Sequence, residues 1–110
     1  MSSDHTAEVL DGLFRVIESR KGSDASSSYT AKLLAGGPPK IAKKINEEAA
    51  EVTIAALVEG KDAVMRESAD LLYHLLVMWA AMDVAPKDVY AELARREGIS
   101  GIDEKNSRVK

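Results

Sequence analysis

The sequence contains no cysteine, so disulfides and thiolate metal sites are excluded. Aromatic residues make up only 5% of the chain and β-branched runs are missing. The plentiful Ala, Leu, Glu and Lys favour helices instead. No apolar run approaches the ~20 residues that span a bilayer. The longest, LLYHLLVMWAAM over 71–82, is interrupted by His74. The opening residues MSSDHTAEVL carry acids and lack the apolar stretch of a signal peptide, so a soluble cytoplasmic protein is expected. Fifteen bases stand against 18 acids and no basic face stands out. Neither a nucleic-acid partner nor a membrane is expected.

What remains is ordinary globular composition, 45% hydrophobic and 30% charged. The 110 residues suffice for one domain with one core, so 1–110 is read as a single domain. Leu10, Leu13, Phe14 and Ile17 recur at helical spacing and predict a first helix from about Thr6 to Arg20. KGSDASSS (21–28) reads as a loop. SYTAKLLAGG predicts a short helix closed at Gly36 and Gly37, with Pro38 and Pro39 opening the next, which runs to Glu59. Gly60 breaks the pattern, Asp62 is the expected N-cap of a further helix to about Asp83, and Pro86 starts a last one closed by Gly98. The tail GISGIDEKNSRVK shows little periodicity. The expected fold is all-α, a helical bundle of about four to five helices, in which 71–82, apolar nearly all round, reads as a central or interface helix.

The segment KKINEEAAEV carries the chemistry. On a helical wheel Ile41, Ile45, Ala49, Val52 and Ala56 form one apolar arc, and Lys44, Glu47, Glu48 and Glu51 form its neighbour. The acidic arc then turns apolar at Ile54, Ala55 and Val58, as a wall inside an enclosed space would. On the following helix Glu67, Asp70 and His74 stack at i, i+3 and i+7. Setting aside the five clustered acids leaves 13 acids against 15 bases, so the acidic excess is local. Two like charges ~6 Å apart repel by about 3 kcal/mol at an effective dielectric near 20. Converging acids must therefore protonate or recruit cations, and Lys44 and Arg66 are too few to balance them. All-oxygen ligands suit hard ions, Mg²⁺ with Mn²⁺ as the alternative, rather than zinc. No Glu-x-x-His spacing supports a di-iron bundle. A magnesium cluster of this kind suits cleavage of a phosphoanhydride. Either acidic motif standing alone reads as a solvated face; it is their combination, joined by a short turn and followed by an apolar helix, that favours the metal site. His74 is read as a core histidine outside the site; Met78, Trp79 and Met82 as core or subunit contact; and Lys40, Lys43, Arg95, Arg96 and Lys110 as solvated.

These residues resemble a known family. KINEEAAEV followed by ESADLLYHLLVMW, with SYTAKLL (28–34) and the tail SGIDEKNSR (100–108), is similar to the phosphoribosyl-ATP pyrophosphatases of histidine biosynthesis, all-α NTP pyrophosphatases of MazG type. The acidic motifs point to the superfamily. SYTAKLL, Tyr73-His74 and the Glu104, Lys105, Arg108 tail point to the histidine-pathway member. The resemblance implies Mg²⁺-dependent hydrolysis of 1-(5-phosphoribosyl)-ATP to 1-(5-phosphoribosyl)-AMP and pyrophosphate by a homodimer. It maps the catalytic and metal-binding acids onto Glu47, Glu48, Glu51, Glu67 and Asp70. Candidate bases for the substrate are Lys44 first, then Arg20, Lys21, Lys32, Lys105 and Arg108. Two rivals stay open: a housecleaning NTP or dUTP pyrophosphatase with the same metal chemistry, and a non-catalytic helical dimerisation module.

Overall fold

The computed structural model describes residues 5–108. Five helices follow one another: α1 (Glu8–Ser19), α2 (Tyr29–Ile54), α3 (Lys61–Ala81), α4 (Pro86–Arg96) and α5 (Gly101–Ser107), with a π-helical turn, Ala55–Glu59, between α2 and α3. No strand occurs among the described residues, so the all-α expectation holds.

The α2–α3 hairpin is the spine, and α1 packs across α3. Ile17 of α1, Leu33 and Ile41 of α2, and Leu76, Val77 and Ala80 of α3 form one buried cluster. Leu10, Leu13, Phe14, Ile45, Met78 and Trp79 pack around it. The first helix therefore buries the apolar stripe read from its sequence. Ser28 caps α2 by accepting from the Ala31 N–H at 3.2 Å.

α2 is broken where glycine and proline coincide. Gly37 sits at φ 79°, ψ 174°, a conformation that a side chain would strain. The following prolines have no N–H to lose at the start of the resumed helix. The short helix expected to close at Gly36 and Gly37 and the longer one expected to open at Pro38 and Pro39 are thus the two halves of α2 on either side of this break, and the break fixes the direction in which the acidic segment runs. At its far end the π turn closes with Gly60 N–H bonded to Ala55 O at 2.9 Å, and Gly60 takes φ 108°. That geometry lets α3 begin at once. Asp62 is consequently not the N-cap; Gly60 holds that position, and Asp62 lies in the first turn, where its charge suits the helix dipole.

α3 ends with Asp83 in the left-handed region (φ 57°). Val84 N–H bonds Trp79 O at 2.8 Å and Asp83 N–H bonds Ala80 O at 3.3 Å, the paired bonds of a Schellman close. Lys21 reaches Asp83 at 3.2 Å and Glu18 at 3.1 Å, tying the 21–28 loop to this corner.

The tail departs from expectation, because α5 is helical. Ser100 caps it through the Asp103 N–H at 3.1 Å, and a tertiary ion pair holds it. Glu104 is buried and accepts from Arg95 Nη2 at 2.8 Å on both oxygens. Arg108 Nε lies 3.4 Å away and Arg96 Nε 3.8 Å away. Arg95 and Arg96, read as merely solvated, are clamps between α4 and α5. Lys40 and Lys43 are exposed as expected, while Lys110 lies outside the described residues. Tyr90 OH, donating to Asp11 at 3.0 Å, ties α4 to α1.

The Arg95 hydrogen bond, then that of Arg108, lowers the Glu104 carboxyl below its ordinary value of 4.5. A depressed carboxylate contributes stability that is complete above the unfolded value and fades as pH falls through the folded one. The amide NMR signals of 101–107 are therefore expected to keep helical shifts above pH 4.5 and to move toward coil below it. Glu104→Gln should show coil shifts already at neutral pH.

Candidate metal and active site

The acidic segments of α2 and α3 run antiparallel, so equal steps along each keep partners level. Ile41 and Val77 share the buried core, and Lys44 and His74 both act electrostatically on the Glu48 carboxyl. Beyond them the carboxylates converge. One oxygen each from Glu48, Glu67 and Asp70 lies within 4.8 Å of the others. Two i, i+3 pairs, Glu48 with Glu51 and Glu67 with Asp70, thus face each other across the hairpin.

The environment of these acids is unfavourable to their charge. Glu48 Oε2 and Glu67 Oε2 are buried and find no hydrogen-bond partner among the described residues. Burial first, then the Glu51 charge, raises the Glu48 carboxyl, with Asp70 adding to the effect. Glu67 is pushed up to about 7, chiefly by the facing Glu51 carboxyl, then by burial and the surrounding acids. At the observed spacing the like charges repel one another.

The donor set fits a hard divalent cation: all oxygen, three ligand atoms already gathered, and two buried oxygens otherwise unpartnered. Glu51 stands beside this group rather than in it. With Ile54, Glu59 and Glu67 it lines a cavity of about 190 Å³. Glu47 is turned away and pairs with Lys44 at 3.4 Å. Arg66 is exposed and forms no ion pair among the described residues.

The expected enclosure is incomplete in a single chain. Ala55 is buried, but Ile54 is 51% and Val58 77% exposed, so the apolar end of the acidic arc lies open. Leu57, Met65 and Leu72 are exposed nearby in sequence. Within 71–82 the chain buries Leu76, Val77 and Ala80 by itself and leaves Leu72 and Met82 uncovered.

His74 is buried, as expected of a core histidine, yet it is tied to the site. Its Nδ1 lies 2.8 Å from the Asp70 carbonyl and must donate there; its Nε2 lies 3.1 Å from Tyr29 OH and accepts from it. Tyr73 packs edge-on to the imidazole and bonds Thr30. Tyr29 stands in the SYTAKLL motif but carries no role readable from the sequence; a contact across 45 residues brings it here. Among the proposed substrate bases, Lys44 alone borders the acids. Lys21 is held by Glu18 and Asp83, and Arg108 by Glu104. Arg20, Lys32 and Lys105 are exposed and make no ion pair with the cluster.

Comparison with known proteins supplies an independent line. Residues 10–97 match the family model described as Phosphoribosyl-ATP pyrophosphohydrolase. The phosphoribosyl-ATP pyrophosphatase of Paramagnetospirillum magneticum is 61% identical over 104 residues, covering 94% of this chain and 95% of that protein. Those of Parvibaculum lavamentivorans, 60% identical over 93% of this chain and 94% of that protein, and Rhodospirillum rubrum, 57% over 94% and 88%, are similarly close.

Relief of carboxylate repulsion has a thermal signature. Glu67→Gln is expected to raise the melting temperature in metal-free buffer and to respond less than the unsubstituted protein to added Mg²⁺. Thermal unfolding with EDTA and with Mg²⁺ reads both.

Proposed function

This chain belongs to the phosphoribosyl-ATP pyrophosphohydrolase family, and from that premise we propose that it hydrolyses the α–β phosphoanhydride of 1-(5-phosphoribosyl)-ATP. The products are 1-(5-phosphoribosyl)-AMP and pyrophosphate, and the step serves histidine biosynthesis. The observation that carries the chemistry is the convergence of Glu48, Glu67 and Asp70 within 4.8 Å. Family membership sets aside the non-catalytic module.

In this reading Glu48, Glu67 and Asp70 hold Mg²⁺. The ion supplies neutralisation of the phosphates and activation of water. Glu51, facing Glu67 from outside the group of three, is the carboxylate that takes the proton of the attacking water. Glu47 keeps Lys44 in place, and the Lys44 ammonium receives a phosphate at the edge of the cluster. Arg20, Lys21, Lys32, Lys105 and Arg108 remain second-rank candidates, since nothing ties them to the acids. The Glu48 and Glu67 oxygens left unpartnered support the metal. Among the described residues no helix is long and apolar enough to cross a membrane, and a biosynthetic role supports reading the enzyme as cytoplasmic.

A second copy of the chain completes the fold in the same proposal. A 110-residue domain is expected to have a radius of gyration of about 13 Å, whereas this one measures 16.1 Å. Ile54, Leu57, Val58 and Met65 lie exposed at 51%, 78%, 77% and 56%. A partner covering them would also enclose the acids.

Turnover of phosphoribosyl-ATP is expected with Mg²⁺ and is expected to stop with EDTA. Asp70→Asn should lower it by about 10²-fold or more, the scale of losing one transition-state stabilising group, with circular dichroism unchanged. Cleavage of dUTP while phosphoribosyl-ATP stays intact would move the assignment to a housecleaning pyrophosphatase. For the assembly, light scattering should give a dimer mass, and Leu57→Glu should give a monomer with lowered activity.

A further inference from the structure

The described carboxylates account for the phosphates and leave the base of the nucleotide without a partner. The aromatic group behind them offers one. Tyr29, the first residue of α2, is 50% exposed, although its ring is fixed on two sides. Its hydroxyl donates to His74 Nε2 at 3.1 Å, and its plane lies 22° from that of Tyr73 with ring centroids 6.3 Å apart. His74 packs edge-on at 6.0 Å and donates through Nδ1 to the Asp70 carbonyl. One side chain therefore separates Tyr29 from the ligand residue Asp70. Lys44 is close by as well: the Tyr29 phenol is the first cause of its raised pKa, ahead of Glu47.

A half-exposed phenol whose hydroxyl is already committed has no polar atom to spare for a phosphate. It has a rigid ring face. Flat bases stack on such faces whatever their sequence of donors and acceptors. The position also suits the order of parts in a nucleotide, with phosphates at the acids and the base beyond them.

We propose that Tyr29 is a substrate-binding residue that stacks on the purine of the nucleotide, and that His74 is the positioning residue that fixes it. The proposal rests on the hydrolase reading for its substrate but makes a separate claim about base recognition. Tyr29 recognises a flat purine and not a phosphate. His74 acts through Tyr29, linking it to the turn of α3 that carries Asp70.

Calorimetric titration with AMP and with pyrophosphate, each in Mg²⁺, separates base from phosphate recognition. Tyr29→Ala is expected to weaken AMP about tenfold, the scale of one base–aromatic stack, and to leave pyrophosphate unchanged. Tyr29→Leu, which keeps an apolar side chain without a ring face, should do the same. In turnover, KM for phosphoribosyl-ATP should rise by a similar factor with kcat nearly unchanged. Tyr29→Phe and His74→Leu should each give a smaller loss, and the double variant no more than either alone, because both break one tether. Unchanged AMP affinity, equal weakening of AMP and pyrophosphate, or no AMP binding by the unsubstituted protein would each overturn the proposal. A protein that binds AMP through Tyr29 yet leaves phosphoribosyl-ATP intact would refute the assigned substrate and not this contact.

Discussion

Like-charge repulsion across the α2–α3 hairpin is the constraint on which the rest of the structure depends. Glu48, Glu67 and Asp70 present oxygens within 4.8 Å of one another, and Glu51 lies against Glu67. Nothing in the local sequence compels four carboxyl groups to meet. They meet because the two helices are clamped below them by Ile41, Leu76, Val77 and Ala80, all at most 1% exposed. Apolar burial of about 1.5–3 kcal/mol per large side chain offsets that repulsion. The core thus holds a site that favours a cation.

The backbone irregularities serve the same end. Gly37 at φ 79°, followed by two prolines, turns the acidic half of α2 away from its first two turns, so Tyr29 and Glu48 can both approach α3. The π turn and Gly60 return the chain without a loop. His74 then bridges core and site, buried on the helix that carries Asp70 while bonded to Tyr29 of the other. A residue with that double allegiance reads from sequence as core alone.

Periodicity made the hairpin legible: Glu48, Glu51, Glu67 and Asp70 occupy helical spacings that survive into the structure. It did not separate Glu47 from Glu48, because both lie within one broad arc; the structure puts Glu48 among the gathered oxygens and leaves Glu47 paired with Lys44 at 3.4 Å. Nor could it find α5. Two glycines and weak periodicity describe a coil, and the helix depends on Glu104 meeting Arg95 from another element. The same tertiary dependence hid Arg95 and Arg96 among the solvated bases. Asp62 illustrates the reverse error, a residue with good capping chemistry displaced by a glycine geometry two positions earlier. The resemblance in the acidic, SYTAKLL and tail motifs carried the substrate, which no spacing could supply.

The central claim is that these carboxylates form one cation site. Anomalous diffraction from crystals grown in Mn²⁺ tests it most directly. The account predicts a peak bound by oxygens of Glu48, Glu67 and Asp70, with Glu51 adjacent. A map without such a peak, with those side chains turned apart into bulk water, would contradict it.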